Sequence, residues 1–270
     1  MQTAAKDRTG RAASDCRVVP SGKACGAEIQ GIDLNHLDAS TFDTILRALD
    51  DHLVVLIRDQ RLDNEHLIKL GRRFGAFEPP GMSIIGKPYI DEYPDILVIS
   101  NIVENGQPQG NLGAGEASWH TDMSYREVPI SYAILNAVEL PPAGGNTQFA
   151  NQYLAYDTLP DELKRRLANA IINHDETYNS AGQLRKGFKL VTDVREAPGA
   201  KHPVFRTHPR TGKKALFLGR RLNAYILGLP VDESERLLDQ LWAHASQPQF
   251  TWTQEWRMGD RSEEHTSELQ

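Results

Sequence analysis

Two residues separated by a single position carry the most specific chemical signal in this sequence. His120 and Asp122 lie in the run WHTDMSY at residues 119–125, where aromatic and β-branched residues favour a strand. Alternate side chains of a strand point to the same side, so the imidazole and the carboxylate would meet at one point. Such a pair supplies two members of the two-His, one-carboxylate triad that holds non-haem Fe(II). The third ligand must come from elsewhere in the chain.

A His-x-acid pattern is weak evidence by itself, because nine histidines and 36 acidic residues in a chain of 270 produce about one match by chance. The sequence has three matches. Residues 36–38 precede a helix start, where Asp38 would serve as a cap. Residues 174–176 follow a short apolar run and are expected to make structural polar contacts. Only His120 and Asp122 combine a strand-like context with a glycine-rich approach, so they are the candidate metal ligands.

The composition is that of an ordinary soluble globular protein, with 40% hydrophobic and 24% charged residues. A formal net charge of −6 and the lack of a Lys/Arg-rich run argue against nucleic-acid binding. No apolar run approaches the length of a membrane span, and no apolar signal core is present, so the expected location is the cytoplasm. Cys16 and Cys25 lack metal-binding spacing. The sequence leaves open whether the chain forms a homo-oligomer.

Apolar periodicity predicts two helices and one buried strand in the first third of the chain. Ser40 is expected to cap the first helix, and Asp63 or Asn64 to cap a second one that stops at Gly75. The continuous apolar run at residues 53–57 is typical of a central buried strand. The buried helical faces follow the i, i+3, i+4, i+7 spacing and consist of Phe42, Ile45, Leu46 and Leu49 in the first helix and Leu67, Leu70 and Phe74 in the second.

The rest of the chain is β-rich, with further helices opened by Pro160 and by Asp232. Residues 178–200 show no periodicity and are expected to form a lid or a binding loop. A disordered tail at residues 1–14 and one domain at residues 15–260 are expected, the domain being a mixed α/β, β-rich barrel or jelly roll with flanking helices. The predicted strands are residues 96–100, 118–125, 131–140, 147–150, 203–206, 214–218 and 250–256.

Segments spread over most of the chain resemble one known family. The chain is similar to the taurine and 2,4-dichlorophenoxyacetate dioxygenases, the TauD/TfdA family of Fe(II)- and 2-oxoglutarate-dependent oxygenases. Eight similar segments occur in the family order, which is far more specific than one His-x-Asp match. These segments are residues 26–34, 53–60, 72–75, 119–122, 141–149, 202–209, 215–217 and 254–260.

The resemblance implies a jelly roll, or double-stranded β-helix, and an oxidative activity. His120 and Asp122 match the two proximal iron ligands of the family. Thr147 matches a threonine that contacts a carboxylate of bound 2-oxoglutarate, to which a hydroxyl can donate. The implied cofactors are Fe(II), 2-oxoglutarate as cosubstrate and O2. The implied reaction hydroxylates a small, often anionic organic molecule while 2-oxoglutarate is converted to succinate and CO2.

The sequence departs from the family after Asp260. There the family carries its third iron ligand, a histidine, and an arginine that pairs with 2-oxoglutarate, in a Trp-Asp-Asn-Arg context. His265 comes too early and in a different context, and is interpreted as part of a surface tail. Residues 261–270 read as the translation of a common sequencing adapter. We therefore expect a C-terminally truncated domain followed by a non-native tail, without the distal ligand, the arginine or the closing strands.

Three hypotheses are open at this point. The first is the dioxygenase, active as the intact gene product. The second is a non-catalytic metal-binding jelly roll that acts as a sensor or binder, although such cupin-type proteins more often show His-x-His and a later Glu. The third is an inactive fragment with an exposed sheet edge. Succinate release dependent on 2-oxoglutarate separates the first hypothesis from the others.

The substrate itself is not predicted. Loops at residues 78–94, 102–117 and 178–200 would select it, and Glu116 in the second loop would place a carboxylate near the pocket mouth. Several basic residues could bind an anionic substrate, or could be solvated surface charges. They are Arg185, Lys186, Lys189, Arg220 and Arg221.

Overall fold

The computed structural model describes residues 16–78, 87–112, 118–265 and 268–269. The tail expected at residues 1–14 lies outside this range, as do Glu116 and parts of the loops at residues 78–94 and 102–117. No described helix is both long and apolar enough to cross a membrane. The α-helices are α1 Ala39–His52, α2 Asn64–Phe74, α3 Gln152–Thr158, α4 Asp161–Leu167 and α5 Val231–Ala245.

The strands form several small sheets, and within the described residues no sheet closes into a barrel. The largest has the order β1-β2-β3-β16-β8, and two three-stranded sheets have the orders β11-β10-β14 and β15-β9-β17. The strands are β1 Arg17–Pro20, β2 Ala27–Gln30, β3 Val54–Ile57, β4 Ile99–Ser100, β5 Val103–Glu104, β6 Gln107–Pro108, β7 Asn111–Leu112, β8 Tyr132–Asn136, β9 Thr147–Asn151, β10 Ile171–Asp175, β11 Gly199–Pro203, β12 Phe205–Thr207, β13 Lys214–Leu216, β14 Tyr225–Ile226, β15 Thr251–Gln254, β16 Arg261–His265 and β17 Glu268–Leu269.

Side-chain caps define the starts of the first two helices. Of the two expected caps, Asp38 rather than Ser40 caps α1, and it accepts a hydrogen bond from the Thr41 amide at 2.7 Å. Asp38 is the better cap because its carboxylate reaches a free amide of the first turn. Its negative charge also lies at the positive end of the helix dipole. Asp63 caps α2 as expected, accepting from the His66 amide at 2.8 Å.

Two apolar cores hold the helices to the sheets. One packs α1 and α2 against β2 and β3, and all four residues of β3 are buried, as the continuous apolar run indicates. The other surrounds α5, whose buried face includes the expected Leu237, Leu238, Leu241 and Ala245. It also takes residues from α3, α4, β10, β13 and β14. Helix α3 was not expected from the sequence.

The residues expected to form a surface tail instead complete the largest sheet. Strand β16 runs antiparallel to both β3 and β8, with Ser262 opposite Leu56 and Leu135. Two strands that face the same gap present backbone donors and acceptors, and an inserted strand satisfies both sets. The backbone of residues 261–265, which include His265, therefore forms a central strand of this sheet, and its interpretation as a surface tail is wrong. Their foreign origin stays a hypothesis.

The segment at residues 178–200 is more ordered than its lack of periodicity indicates. Tyr178 and Leu184 form a β-bridge, and the Arg185 amide donates to the Thr177 carbonyl at 2.8 Å. A 3-10 helix follows at Val194–Glu196, and β11 begins at Gly199. The first half of the segment is thus a tight hairpin-like loop, which local sequence periodicity does not reveal because its hydrogen bonds join irregular backbone.

Candidate metal centre

The side chains of His120 and Asp122 lie together. The His120 Nε2 atom is 3.2 Å from the Asp122 Oδ1 atom. The His120 side chain is 8% exposed and that of Asp122 is 38% exposed, so the pair is anchored in the protein on one side and open on the other. The expected meeting of the two groups at one point is observed, while their role as metal ligands stays a prediction.

The backbone brings this pair together in a different way from that expected. Residues 118–125 do not form a strand: His120 makes a single β-bridge to Arg220, and a turn follows. The Thr121 amide donates to the Gly219 carbonyl at 2.8 Å, and Met123 adopts a left-handed conformation with φ 48°. A non-glycine residue in this region is held there by its surroundings, and such strain is concentrated at functional sites.

The histidine has the orientation that metal binding requires. The Nδ1 atom of His120 lies 2.8 Å from the Ser118 carbonyl oxygen, to which its N–H donates. This hydrogen bond leaves the Nε2 lone pair available, which is the usual arrangement of a ligating histidine. Two cis ligands of an octahedral metal with bonds of about 2.1 Å are separated by about 3 Å. The distance between Nε2 and Oδ1 fits that separation, so the two groups fit an iron ion.

The electrostatics of the site keep Asp122 charged. Burial raises the pKa of Asp122, but the contact with His120 and the charges of Arg220 and Arg185 outweigh this effect. The net pKa therefore lies below the ordinary value of an aspartate. A deprotonated carboxylate is the form that binds a metal, so no proton has to be removed before an ion enters at neutral pH.

The loop at residues 177–185 is attached to this centre. The Ser118 amide donates to the Ser180 carbonyl at 3.1 Å, and the Arg220 Nη1 atom donates to the Tyr178 carbonyl at 2.8 Å. Arg220 also pairs with His120 through the backbone. Sequence reasoning identifies Arg220 only as one of several basic candidates. Its backbone partner His120, which places it at the centre, is 100 positions away in the chain.

Within the described residues the structure shows no group of three His, Cys, Asp or Glu side chains that could hold a metal ion. The other two His-x-acid matches have structural roles. His36 contacts Asp33 through Nδ1 at 2.7 Å, and Asp38 caps α1. Asp175 accepts hydrogen bonds from Thr177 and Asn223. Within the described residues, no third side chain of these types joins His120 and Asp122, and the position of the family's distal ligand stays a prediction.

Thr147, which is expected to contact 2-oxoglutarate, lies outside the turn that carries His120 and Asp122. Thr147 is the first residue of β9, and its Oγ1 atom accepts a hydrogen bond from Trp256 Nε1 at 3.0 Å. The hydroxyl keeps a hydrogen that it can donate to a second partner. Its role in binding the cosubstrate stays a prediction.

A buried histidine behind the centre was not singled out by sequence reasoning as part of the site. His174 is 1% exposed and packs against Phe217 and His202, with ring centroids 5.1 and 5.0 Å away. Neither ring nitrogen has a hydrogen-bond partner within the described structure. Burial, with the charges of His202 and Arg206, lowers the pKa of His174 well below 6.5. His174 is therefore neutral and part of the wall behind Gly219, at which an added Cβ would lie 1.9 Å from its Nδ1 atom.

Comparison with known proteins identifies the class. Residues 17–261 match the family described as taurine catabolism dioxygenase TauD, TfdA family. The chain belongs to this family, whose members are 2-oxoglutarate-dependent dioxygenases and hence oxidoreductases, and in which iron binding is general. The structural neighbours indicate a jelly-roll fold, which is consistent with the mixed α/β, β-rich architecture.

Individual relatives cover most of the chain. It is 35% identical to pentalenolactone F synthase from Streptomyces avermitilis, over 92% of this chain and 85% of that protein. It is 32% identical to an alpha-ketoglutarate-dependent 2,4-dichlorophenoxyacetate dioxygenase from Cupriavidus pinatubonensis, over 87% and 83%. Among solved structures, AAD-2 in complex with Mn(II) and N-oxalylglycine has a TM-score of 0.73 and 25% identity, with 94% of this chain and 89% of that chain covered. A taurine dioxygenase from Burkholderia xenovorans has a TM-score of 0.72 and 28% identity, over 94% and 81%.

Proposed function

We propose that this chain is an Fe(II)- and 2-oxoglutarate-dependent dioxygenase that hydroxylates a small organic molecule. The observation that carries the proposal is the approach of His120 Nε2 to Asp122 Oδ1 at 3.2 Å, on a segment that lies within the family match. Membership of the family supplies the reaction class, and the pair supplies two donors of the kind that the metal needs.

Each residue of the centre has a defined task in this proposal. His120 and Asp122 would hold the iron, and the Ser118 carbonyl keeps the imidazole in the tautomer that exposes Nε2. Thr147 would donate its hydroxyl hydrogen to a carboxylate of 2-oxoglutarate. When bound, the ferrous ion, 2-oxoglutarate and O2 supply the oxidising power to hydroxylate a C–H bond, with release of succinate and CO2.

The composition of strand β16 is unusual for its place in the sheet. Strand β16 places Arg261 and Ser262 in a central strand, next to the wholly buried β3. Central strands buried on both faces are normally apolar, so this composition supports the hypothesis that the segment is foreign to the fold. We infer that a native segment here would bring the distal histidine and the arginine that the family uses.

A turnover assay on two proteins tests the function. The first is the 270-residue chain, and the second joins residues 1–260 to the corresponding C-terminal segment of the Streptomyces avermitilis relative. We expect the second protein to release succinate from 2-oxoglutarate in the presence of Fe(II) and a substrate panel. The first should do so at least about 100-fold more slowly, because in this proposal the joined segment supplies the distal metal ligand and the arginine of a charge-assisted pair. Metal binding by the joined protein without succinate release would instead support a non-catalytic binder.

Substitution of Asp122 tests the metal pair. Asp122→Ala should abolish iron binding and succinate release in the joined protein, because one neutral imidazole retains little affinity for Fe(II). Asp122→Glu should keep a trace of both. His36→Ala is the matched control, since it removes a histidine of the same His-x-Asp pattern whose ring nitrogen contacts Asp33. Iron binding by Asp122→Ala that equals that of the unsubstituted protein would refute the assignment.

A further inference from the structure

Asp260 lies at the point where the chain enters the gap between β3 and β8. Its side chain is 1% exposed, and its Oδ2 atom forms an ion pair with Arg58 Nη1. The same oxygen accepts hydrogen bonds from the Arg257 amide at 2.8 Å and from Gln254 Nε2 at 3.3 Å. The carboxylate therefore joins the end of β15 to the residue that follows β3, which is 202 positions earlier in the chain.

The backbone around Asp260 is bonded to both walls of this gap. On the β8 side, the Asp260 carbonyl accepts a hydrogen bond from the Ala137 amide at 3.1 Å. On the β3 side, the Gly259 carbonyl accepts a hydrogen bond from the Gln60 amide at 2.9 Å. The two residues that precede β16 are therefore fixed before the first pairs of β16 with β3 and β8, which begin at Arg261.

Arg58 is held in place by contacts other than Asp260. Its Nε atom donates to Glu28 Oε2 on β2 at 3.2 Å, and its backbone carbonyl accepts a hydrogen bond from Gln60 Nε2 at 2.8 Å. Gln60 is itself 8% exposed, and its Oε1 atom accepts from the Leu34 amide at 2.9 Å. The guanidinium is therefore a fixed point of the sheet, to which the Asp260 carboxylate is attached.

The strand that follows Asp260 has little in its own sequence to set its register. Residues 261–265 read RSEEH, yet they pair with β8 over five positions and with β3 over four. A slip of one residue would turn every side chain to the opposite face, whereas a slip of two would keep the faces. Apolar contacts oppose neither slip strongly in a polar strand. The buried ion pair opposes both, because moving Asp260 away from Arg58 leaves a buried charge without its partner.

We propose that Asp260, held by Arg58, is a positioning residue that sets the register of the strand after it, and so the place of any metal ligand carried on that segment. The second part rests on the proposed function, in which the distal histidine follows Asp260. A two-residue slip moves a strand by about 7 Å, whereas a metal–ligand bond is about 2.1 Å long. A slipped segment would therefore carry its histidine out of reach of an ion at His120 and Asp122.

Disulfide trapping in the 270-residue chain measures this register. Ser262 lies opposite Leu135 of β8, and Ala133 and Ala137 are the residues two positions to either side of Leu135. Ser262→Cys is combined with a cysteine at position 133, 135 or 137, in a background where both native cysteines are replaced by alanine. Only the 262/135 pair should form a disulfide, because the Cα atom of a partner two residues away lies more than about 7 Å distant, beyond the reach of the bond.

Loss of the ion pair should change which disulfide forms. In Asp260→Ala, the rate of the 262/133 or 262/137 disulfide relative to that of 262/135 should rise at least about tenfold, the change expected when a charged hydrogen bond is lost. The double variant Arg58→Met, Asp260→Asn leaves no unpaired buried charge, so it should fold even where Asp260→Ala does not, and it should show the same rise. Asp50→Asn is the matched control, since it breaks an Asp–Arg pair with Arg210 at 2.7 Å, between α1 and the turn after β12, and should leave the ratio unchanged.

The pattern of disulfides distinguishes a positioning role from a purely structural one. A residue that only stabilises the fold would, when replaced, slow the 262/135 disulfide or speed all three together, and either result overturns the inference. Disulfides confined to position 135 in both variants of the ion pair, or an equal shift in Asp50→Asn, also overturn it. Because trapping needs neither metal nor turnover, a lack of succinate release counts against the proposed function and not against this role of Asp260.

Discussion

Replacement of Gly219 by alanine should damage both the fold and the candidate metal centre. Gly219 has φ +69°, and an added Cβ would lie 1.9 Å from His174 Nδ1 and 2.8 Å from Ser124 Oγ. The left-handed backbone alone costs about 1–2 kcal/mol for a residue with a Cβ. Overpacking against a buried ring adds about 1–3 kcal/mol. We expect Gly219→Ala to lower the free energy of unfolding by about 2–5 kcal/mol.

A second glycine isolates the steric part of this cost. Gly212 has φ +68°, nearly the same backbone conformation, but no atom lies within 4 Å of its added Cβ. Gly212→Ala should therefore cost only the backbone strain of about 1–2 kcal/mol. Urea unfolding of both variants measures the difference, which we attribute to His174. Equal losses in the two variants would refute the reasoning, because they would show that the ring moves aside freely.

The same substitution should also affect metal binding. The Gly219 carbonyl accepts the hydrogen bond of the Thr121 amide at 2.8 Å, between the two candidate ligands. Displacement of Gly219 by His174 would shift this anchor, and we expect the affinity for Mn(II) to fall about tenfold or more, as after loss of an outer-shell contact. Combining Gly219→Ala with His174→Ala removes the overlap, so the double variant should be more stable than the sum of the single effects predicts.

Two further predictions concern buried titratable side chains. The folded protein holds His174 neutral, with a pKa well below 6.5. Below about pH 6.5 the unfolded chain therefore binds a proton at this residue that the folded chain does not. The free energy of unfolding should fall as the pH drops through this range, by at most about 1.4 kcal/mol per pH unit from this group. Urea titrations from pH 5 to pH 8 should show a shallower decline for His174→Phe, and an unchanged slope would exclude this residue as the cause. The second residue is Arg261, which is 2% exposed, has an Nε atom without a hydrogen-bond partner among the described residues, and has a pKa that burial lowers to about 10. Arg261→Met should therefore raise the free energy of unfolding by about 1–3 kcal/mol in the same assay. A loss of stability would show that the guanidinium is better accommodated than its surroundings indicate.

Local sequence signals determined the first third of the fold and the identity of the candidate ligands. The helix α1 follows from an apolar stripe and ends at His52, as expected, and α2 follows from the Asp63 cap and the stop at Gly75. The apolar run at residues 53–57 predicts the buried strand β3. These features depend on contacts a few residues apart, namely caps and the burial of one face, and such contacts can be recognised in a linear pattern.

Only the tertiary structure decided how the centre is built. The two candidate ligands meet through a turn held by the Gly219 carbonyl, not through the expected strand. Arg220 reaches His120 across 100 positions, and β16 enters the middle of a sheet although its residues are polar. These placements depend on backbone groups finding partners far along the chain. Long-range pairing of this kind has no local sequence period, and so the spacing of His120 and Asp122 indicates which groups meet but not what surrounds them.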